Sequence, residues 1–145
     1  YLLSIHCFIE LFSSPCGTLK SALEAASKDF ISKSCDSIVF QIEPGHYFGS
    51  DNRDLTPSDY FKDSPRDLDI TFQSSTLVAS DVILDGQSLG RIFTLQLVQE
   101  GKESPRYFYK FQYLTFTNGF TEGAGGALFI NRTRDVEISN SRFFK

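Results

Sequence analysis

The stretch that decides the fold is "TFTNGFTEGAGGALFI", Thr115 to Ile130. It begins as a strand, turns at Asn118-Gly119, passes Gly123, Gly125 and Gly126, and enters a second apolar run. Glycine reaches positive φ and lets two backbones approach closely. The stretch therefore reads as sharp corners between short strands, one at Asn118-Gly119 and the next at Gly125-Gly126. No P-loop or dinucleotide pattern is present, so these glycines are read as geometry and not as a phosphate cradle.

Short strands recur on the N-terminal side of this stretch and after it. "LDITFQ", "DVILDG", "RIFTLQL", "FQYLTFTNG", "GALFIN" and "DVEISNSRFF" each carry strand-type residues, and Gly or Asn corners punctuate them. "LTFTNG" and "VEISNS" begin at Leu114 and Val136, an offset of 22 residues that sets Asn118 over Asn140, Thr117 over Ser139 and Phe116 over Ile138. A repeat of that length suits a solenoid, in which equivalent strands stack and like side chains form ladders. Before these strands, "GTLKSALEAASKDFISKS" places Leu19, Ala22, Leu23, Ala26 and Phe30 on one helical face, with Thr18 or Gly17 as its cap. "SIVFQIEPGHYFGS" then reads as a strand and a Pro44-Gly45 turn. Gly49 to Asp69 is polar and Asp-rich and is expected to be a loop or insertion, with no further helix downstream.

Length and composition bound the rest. The chain has 145 residues, 41% of them hydrophobic, with 15 Phe and no Trp or Met. That suits one domain with a real core and Phe at interior strand positions. A net charge of −4 leaves no basic stripe for nucleic acid. Without Met, Tyr1 is not a translation start, so the chain is expected to be a piece of a longer one. Residues 1–15 read either as the remnant of a secretory signal or as a first buried strand, too short to span a membrane. Of Cys7, Cys16 and Cys35, the last two can bracket the helix as a disulfide, or all three can be small buried residues.

Several of these segments resemble a known superfamily. "CGTLKSALEAA…SIVFQIEPGHYFGS" resembles the opening of right-handed parallel β-helix proteins of the pectin lyase-like superfamily. Leu19, Leu23 and Ala26 match their cap helix, and Pro44, Gly45 and Tyr47 match the turn that starts their first coil. "DVILDGQ" followed by "RIFTLQL" resembles the next coil. "GGAL", Gly125 to Leu128, resembles the glycine motif of chlamydial polymorphic outer membrane proteins and their relatives, which are surface-exposed and adhesin-like. The motif occurs once here, and "FTNG" is not the Phe-x-x-Asn motif that accompanies it in those proteins. The resemblance implies an all-β fold: a right-handed parallel β-helix with an N-terminal capping α-helix, residues 16–145 forming the cap and first coils. Gly45, Gly86, Asn118, Gly119, Gly125, Gly126 and Asn140 are its expected structural turns. An isolated piece of such a solenoid is expected to aggregate through its uncovered last coil.

Chemistry is sparse in the sequence. The Asp-Asp, Gly-His-Gly and Arg-x-Lys motifs of polygalacturonases are absent. The nearest approach to a catalytic set is Asp81, Asp85 and Arg91, with Asp85 more simply the Asp of an Asp-Gly corner. Asp51, Asp54, Asp59, Asp63 and Asp67 could hold calcium but match no EF-hand spacing. His6 and His46 read as ordinary residues, with no nucleophile or carboxylate at a recognisable spacing. No motif implies a cofactor. "NRT", Asn131 to Thr133, is a glycosylation sequon consistent with a secreted product. The expected function is a non-catalytic, secreted or cell-surface scaffold, adhesin-like, presenting a sheet face to carbohydrate or to a host or cell-surface protein. The alternative is a polysaccharide lyase or glycoside hydrolase whose active site lies in coils beyond this stretch.

Overall fold

The computed structural model describes residues 6–11, 17–33, 36–96, 105–133 and 135–145. The strands are β1 (His6–Leu11), β2 (Ser37–Ile42), β3 (Gly45–Tyr47), β4 (Leu68–Ser74), β5 (Val82–Asp85), β6 (Phe93–Gln96), β7 (Tyr107–Gln112), β8 (Thr115–Thr117), β9 (Leu128–Asn131), β10 (Asp135–Ser139) and β11 (Arg142–Phe144). Two α-helices accompany them, α1 (Leu19–Lys33) and α2 (Pro57–Tyr60), together with 3₁₀ turns at Ser50–Asn52 and Ala79–Asp81.

Every strand pair is parallel. The strands form three sheets: five strands in the order β1-β2-β4-β7-β10, four in the order β11-β8-β5-β3, and the pair β6-β9. This corrects the expected fold class. The molecule is not all-β, and the three small sheets of unequal size do not form a closed solenoid. The inequality originates between β3 and β4. There the chain runs through a 3₁₀ turn and α2 and adds no full strand to the two-stranded sheet, meeting it instead through a bridge from Leu55 to Phe93 and the packing of α2 on β6.

Alternation builds the core. In β2 every second residue, Ile38, Phe40 and Ile42, is buried, and β7 buries Tyr107, Tyr109 and Phe111 in the same way. Because the register pairs Phe40 with Phe72 and Phe72 with Phe111, the rings form a column. Phe40 and Phe72 stack at 4.8 Å, and Phe72 and Phe111 at 5.4 Å. Phe116 and Phe143 stack at 4.7 Å in the four-stranded sheet. Parallel sheets are usually covered on both faces; here the second face carries mostly polar or partly exposed side chains, with Thr71, Thr115 and Asp85 among them buried.

Helix α1 forms where its spacing predicts, with Leu19, Ala22, Leu23 and Ala26 buried; the side chain of Phe30, the fifth residue of that face, falls outside the described residues. Thr18 is the cap. Its Oγ1 accepts the Ser21 N–H at 3.1 Å, and Ser21 Oγ accepts the Thr18 N–H at 3.0 Å, a reciprocal closure like a capping box. The Leu19 N–H is donated to Asn52 Oδ1 at 2.8 Å. Asn52 belongs to the segment read as a loop, and that reading also changes. Asn52, Leu55, Pro57, Ser58 and Phe61 are buried, and the Tyr107 hydroxyl donates to Phe61 O at 3.0 Å. A few anchors suffice to dock a segment whose composition is otherwise polar.

The expected asparagine ladder is absent. Val136 pairs with Tyr109 and Phe143 with Phe116, so Asn140 does not lie over Asn118, nor Ile138 over Phe116. The long expected strands from Phe111 and from Asp135 each break in two, at Tyr113 and at Asn140, both with positive φ. Positive φ is also found at Asn118 and at Gly125. Gly45 opens β3 instead of turning a corner. Gly86 and Gly119 serve close approach: a Cβ on Gly86 would lie 2.7 Å from Asn118 O, and one on Gly119 would lie 2.4 Å from Ala127 Cα. Cys16 and Cys35 fall outside the described residues.

Candidate functional site

The outer face of the four-stranded sheet gathers the most chemistry. Tyr47, Leu84, Phe116 and Phe143 share the inner row, so alternation sends their neighbours outward. Register lines up His46, Ile83, Thr115 and Arg142 in one outer row and Asp85, Thr117 and Phe144 in the next, with Phe48 following Tyr47. His46 Nε2 lies 2.8 Å from Asp85 Oδ2. The Phe48 ring meets the imidazole edge-on at 5.3 Å. Beside this pair, Ser80, Ile83, Thr115, Thr117, Arg142 and Phe144 line a groove of about 260 Å³.

Asp85 is held firmly. Its Oδ1 accepts the Gln87 N–H at 2.8 Å and the Asn118 Nδ2 at 3.0 Å, and its side chain is 12% exposed. Burial pushes its pKa up, but the hydrogen bonds from Asn118, Gln87 and His46, with the His46 charge, outweigh burial and hold it below the ordinary carboxylate value. A carboxylate with a depressed folded-state pKa stabilises the fold fully above its unfolded value, and that stabilisation is lost as pH falls through the folded value. Asp85→Ala is therefore expected to cost about 1–3 kcal/mol at neutral pH, because it strands two donors. Urea titrations on either side of pH 3.8, the ordinary value, should show a smaller acid loss of stability in the variant than in the parent. Equal acid losses would remove Asp85 from this role.

The other candidate residues lie apart. Asp81 accepts the Thr76 hydroxyl at 2.7 Å. Arg91 donates Nε to Gly125 O at 3.1 Å and an Nη to Ala124 O at 2.9 Å, and stacks over Phe129 at 4.6 Å. It thus clamps the glycine turn to β9, and Asp81, Asp85 and Arg91 have three separate sets of partners. Of the Asp-rich segment, Asp51 lies 3.8 Å from Lys20 Nζ, Asp54 Oδ1 accepts the Arg91 N–H at 3.1 Å, Asp67 accepts the Arg106 N–H at 3.0 Å, and Asp59 and Asp63 are exposed. Among the described residues no three His, Cys, Asp or Glu side chains gather where they could hold a metal ion.

His46 is the residue that sequence reasoning passed over. The histidine read as ordinary has a carboxylate partner, and Asp85, read as a corner, is that partner. They are 39 positions apart, and only the β3–β5 register joins them. The local signal was no more than an outward residue beside Tyr47 and an outward residue beside Leu84.

Among the described residues no helix is long and apolar enough to cross a membrane. Comparison with protein-family models, with curated proteins and with solved structures finds no match to this chain.

Proposed function

We propose that this chain is a non-catalytic scaffold of a secreted or cell-surface protein, adhesin-like in role, that presents the outer face of the four-stranded sheet to a saccharide. The observation that carries this reading is the pairing of exposed aromatic rings with polar groups in fixed rows. Phe48 and Phe144 are 54% and 58% exposed, and His46, Thr117 and Arg142 stand on the same hydrogen-bonded sheet, with Ser80 beside them in the adjoining 3₁₀ turn. Large exposed apolar groups rimmed by polar ones mark interaction surfaces, and concave sites combine apolar walls with a few placed polar groups. The likeness of Gly125–Leu128 to the glycine motif of adhesin-like surface proteins points the same way.

A glycan array tests the reading. Binding by the parent chain that drops at least tenfold in Phe48→Ala and Phe144→Ala is expected. Binding only to a protein partner would replace the saccharide with a protein ligand, and saccharide binding untouched by both variants would move the site elsewhere. One observation favours polysaccharide cleavage: an imidazole oriented by a carboxylate is a usable base. Against it, a hydrolase needs a second carboxylate across the scissile bond, and Asp81 is held by Thr76. Product formation from a polysaccharide panel, abolished in His46→Ala, would establish that alternative.

A further inference from the structure

We propose that Asn131 carries an N-linked glycan and that its first sugar packs on the ring of Phe129. The proposal rests on the secreted or cell-surface reading. The sequon Asn131-Arg132-Thr133 lies at the end of β9, where Asn131 is exposed. Register sets Leu128 and Ile130 against the buried Phe93 and Leu95, and Phe129 and Asn131 against Thr94 and Gln96. Alternation therefore sends Phe129 and Asn131 to the same outer face, two residues and about 6.6 Å apart along the strand. Arg132 follows at φ 55, so the chain turns away directly after Asn131 and leaves its carboxamide projecting. Among the described residues nothing hydrogen-bonds that carboxamide.

The ring of Phe129 is partly exposed, with the Arg91 guanidinium 4.6 Å from its centroid. Arg91 is in turn fixed to the carbonyls of Ala124 and Gly125. Arg91 thus covers one side of the ring and holds it in place, and the remaining exposed part of the ring, on the same outer face as Asn131, is the apolar surface offered to the C–H face of a sugar. Thr133 Oγ1 donates to Tyr107 O at 3.0 Å, so the hydroxyl is engaged once β7 has formed, and transfer precedes that step. In the transfer, Asn131 Nδ2 forms a bond to the anomeric carbon of a lipid diphosphate-linked oligosaccharide. The bond from that carbon to the diphosphate oxygen breaks, the lipid diphosphate leaves with the electron pair, and Nδ2 loses one proton. Among the described residues β9 pairs only with β6, so the attached glycan also stands beside an unpaired strand edge.

The full chain, given a cleavable secretion signal and expressed in a eukaryotic cell, tests this. The expected result is a slower-migrating form on a denaturing gel that an amidase specific for N-linked glycans collapses. Asn131→Gln and Thr133→Ala should lack it, and Thr133→Ser should keep it. Material retained inside the cell has met the same transferase and is read on the same gel. An unmodified chain overturns the site. Removing the glycan should then lower Tm by roughly 2–8 °C in the parent, and by less than half as much in Phe129→Leu. An equal or absent change in both overturns the packing on Phe129. Because the signal is supplied, failure here is distinct from failure of the surface reading, which would show as absence of the chain from the secreted and surface fractions of its own cells.

Discussion

Phe72→Ala is expected to destabilise the protein by about 3–5 kcal/mol, the range for deleting a buried Phe side chain. Phe72 is fully buried at the centre of the aromatic column. Its ring stacks on Phe40 at 4.8 Å and 9°, on Phe111 at 5.4 Å and 7°, and meets Phe93 at 4.8 Å. Truncation removes all three ring contacts at once. Each aromatic pair adds about 0.5–1.5 kcal/mol beyond area burial, and the neighbours are strand residues that cannot close the gap without breaking register. Set against a typical total stability of about 5–15 kcal/mol, such a loss is a large fraction of the fold. Phe48→Ala, on an exposed ring, is the control, with an expected change within about 0.5 kcal/mol. Urea midpoints at constant m-value decide it. A Phe72→Ala loss below about 1 kcal/mol would mean that the column is not the packed centre described above.

That column also separates what the chain declares locally from what it does not. Helix α1 was legible because its information is local: Leu19, Ala22, Leu23 and Ala26 fall on one face and Thr18 stands before them. The strands were legible from alternation, though not the breaks at Tyr113 and Asn140, where non-glycine residues adopt positive φ. Pairing was not legible. The match between "TFTN" and "EISN" suggested one register, whereas packing chose the one that sets Phe143 on Phe116, ring on ring. Segment length between paired strands is free to vary as long as apolar residues meet, so a short polar repeat carries little weight against a ring stacked on the buried Phe116. The same freedom hid the His46–Asp85 contact. It also hid the folding of Gly49 to Asp69, where Asn52, Leu55 and Phe61 do the docking among charged neighbours. Closure of the sheets is not encoded in the corners: glycine fixes how sharply the chain turns, not whether three sheets of five, four and two strands close on one another.

The corner itself supplies the second large effect. Gly119→Ala is expected to destabilise by about 3 kcal/mol, at the upper end of the cost of overpacking. A Cβ at this position would lie 2.4 Å from Ala127 Cα, 2.5 Å from Ala127 N and 2.8 Å from Gly126 C. All three are backbone atoms, so no side chain can swing aside. Nor can the opposing backbone retreat freely, because Ala127 O accepts the N–H groups of Ile92 and Phe93 at 2.9 and 3.1 Å, and Ile92 and Phe93 are core residues. On the other side Gly119 Cα already sits 2.9 Å from where a Cβ on Gly86 would be, so displacement in that direction meets a second backbone. Gly123→Ala is the matched comparison. Its nearest neighbour would be Thr121 Oγ1 at 4.0 Å, and the same added methyl there should be neutral, or stabilising by up to about 1 kcal/mol through the unfolded chain. Thermal unfolding of the two variants side by side measures the difference. Equal Tm values would show that the backbones at Gly119 and Ala127 have room to part, and the close approach that this glycine-rich stretch creates would lose its energetic weight.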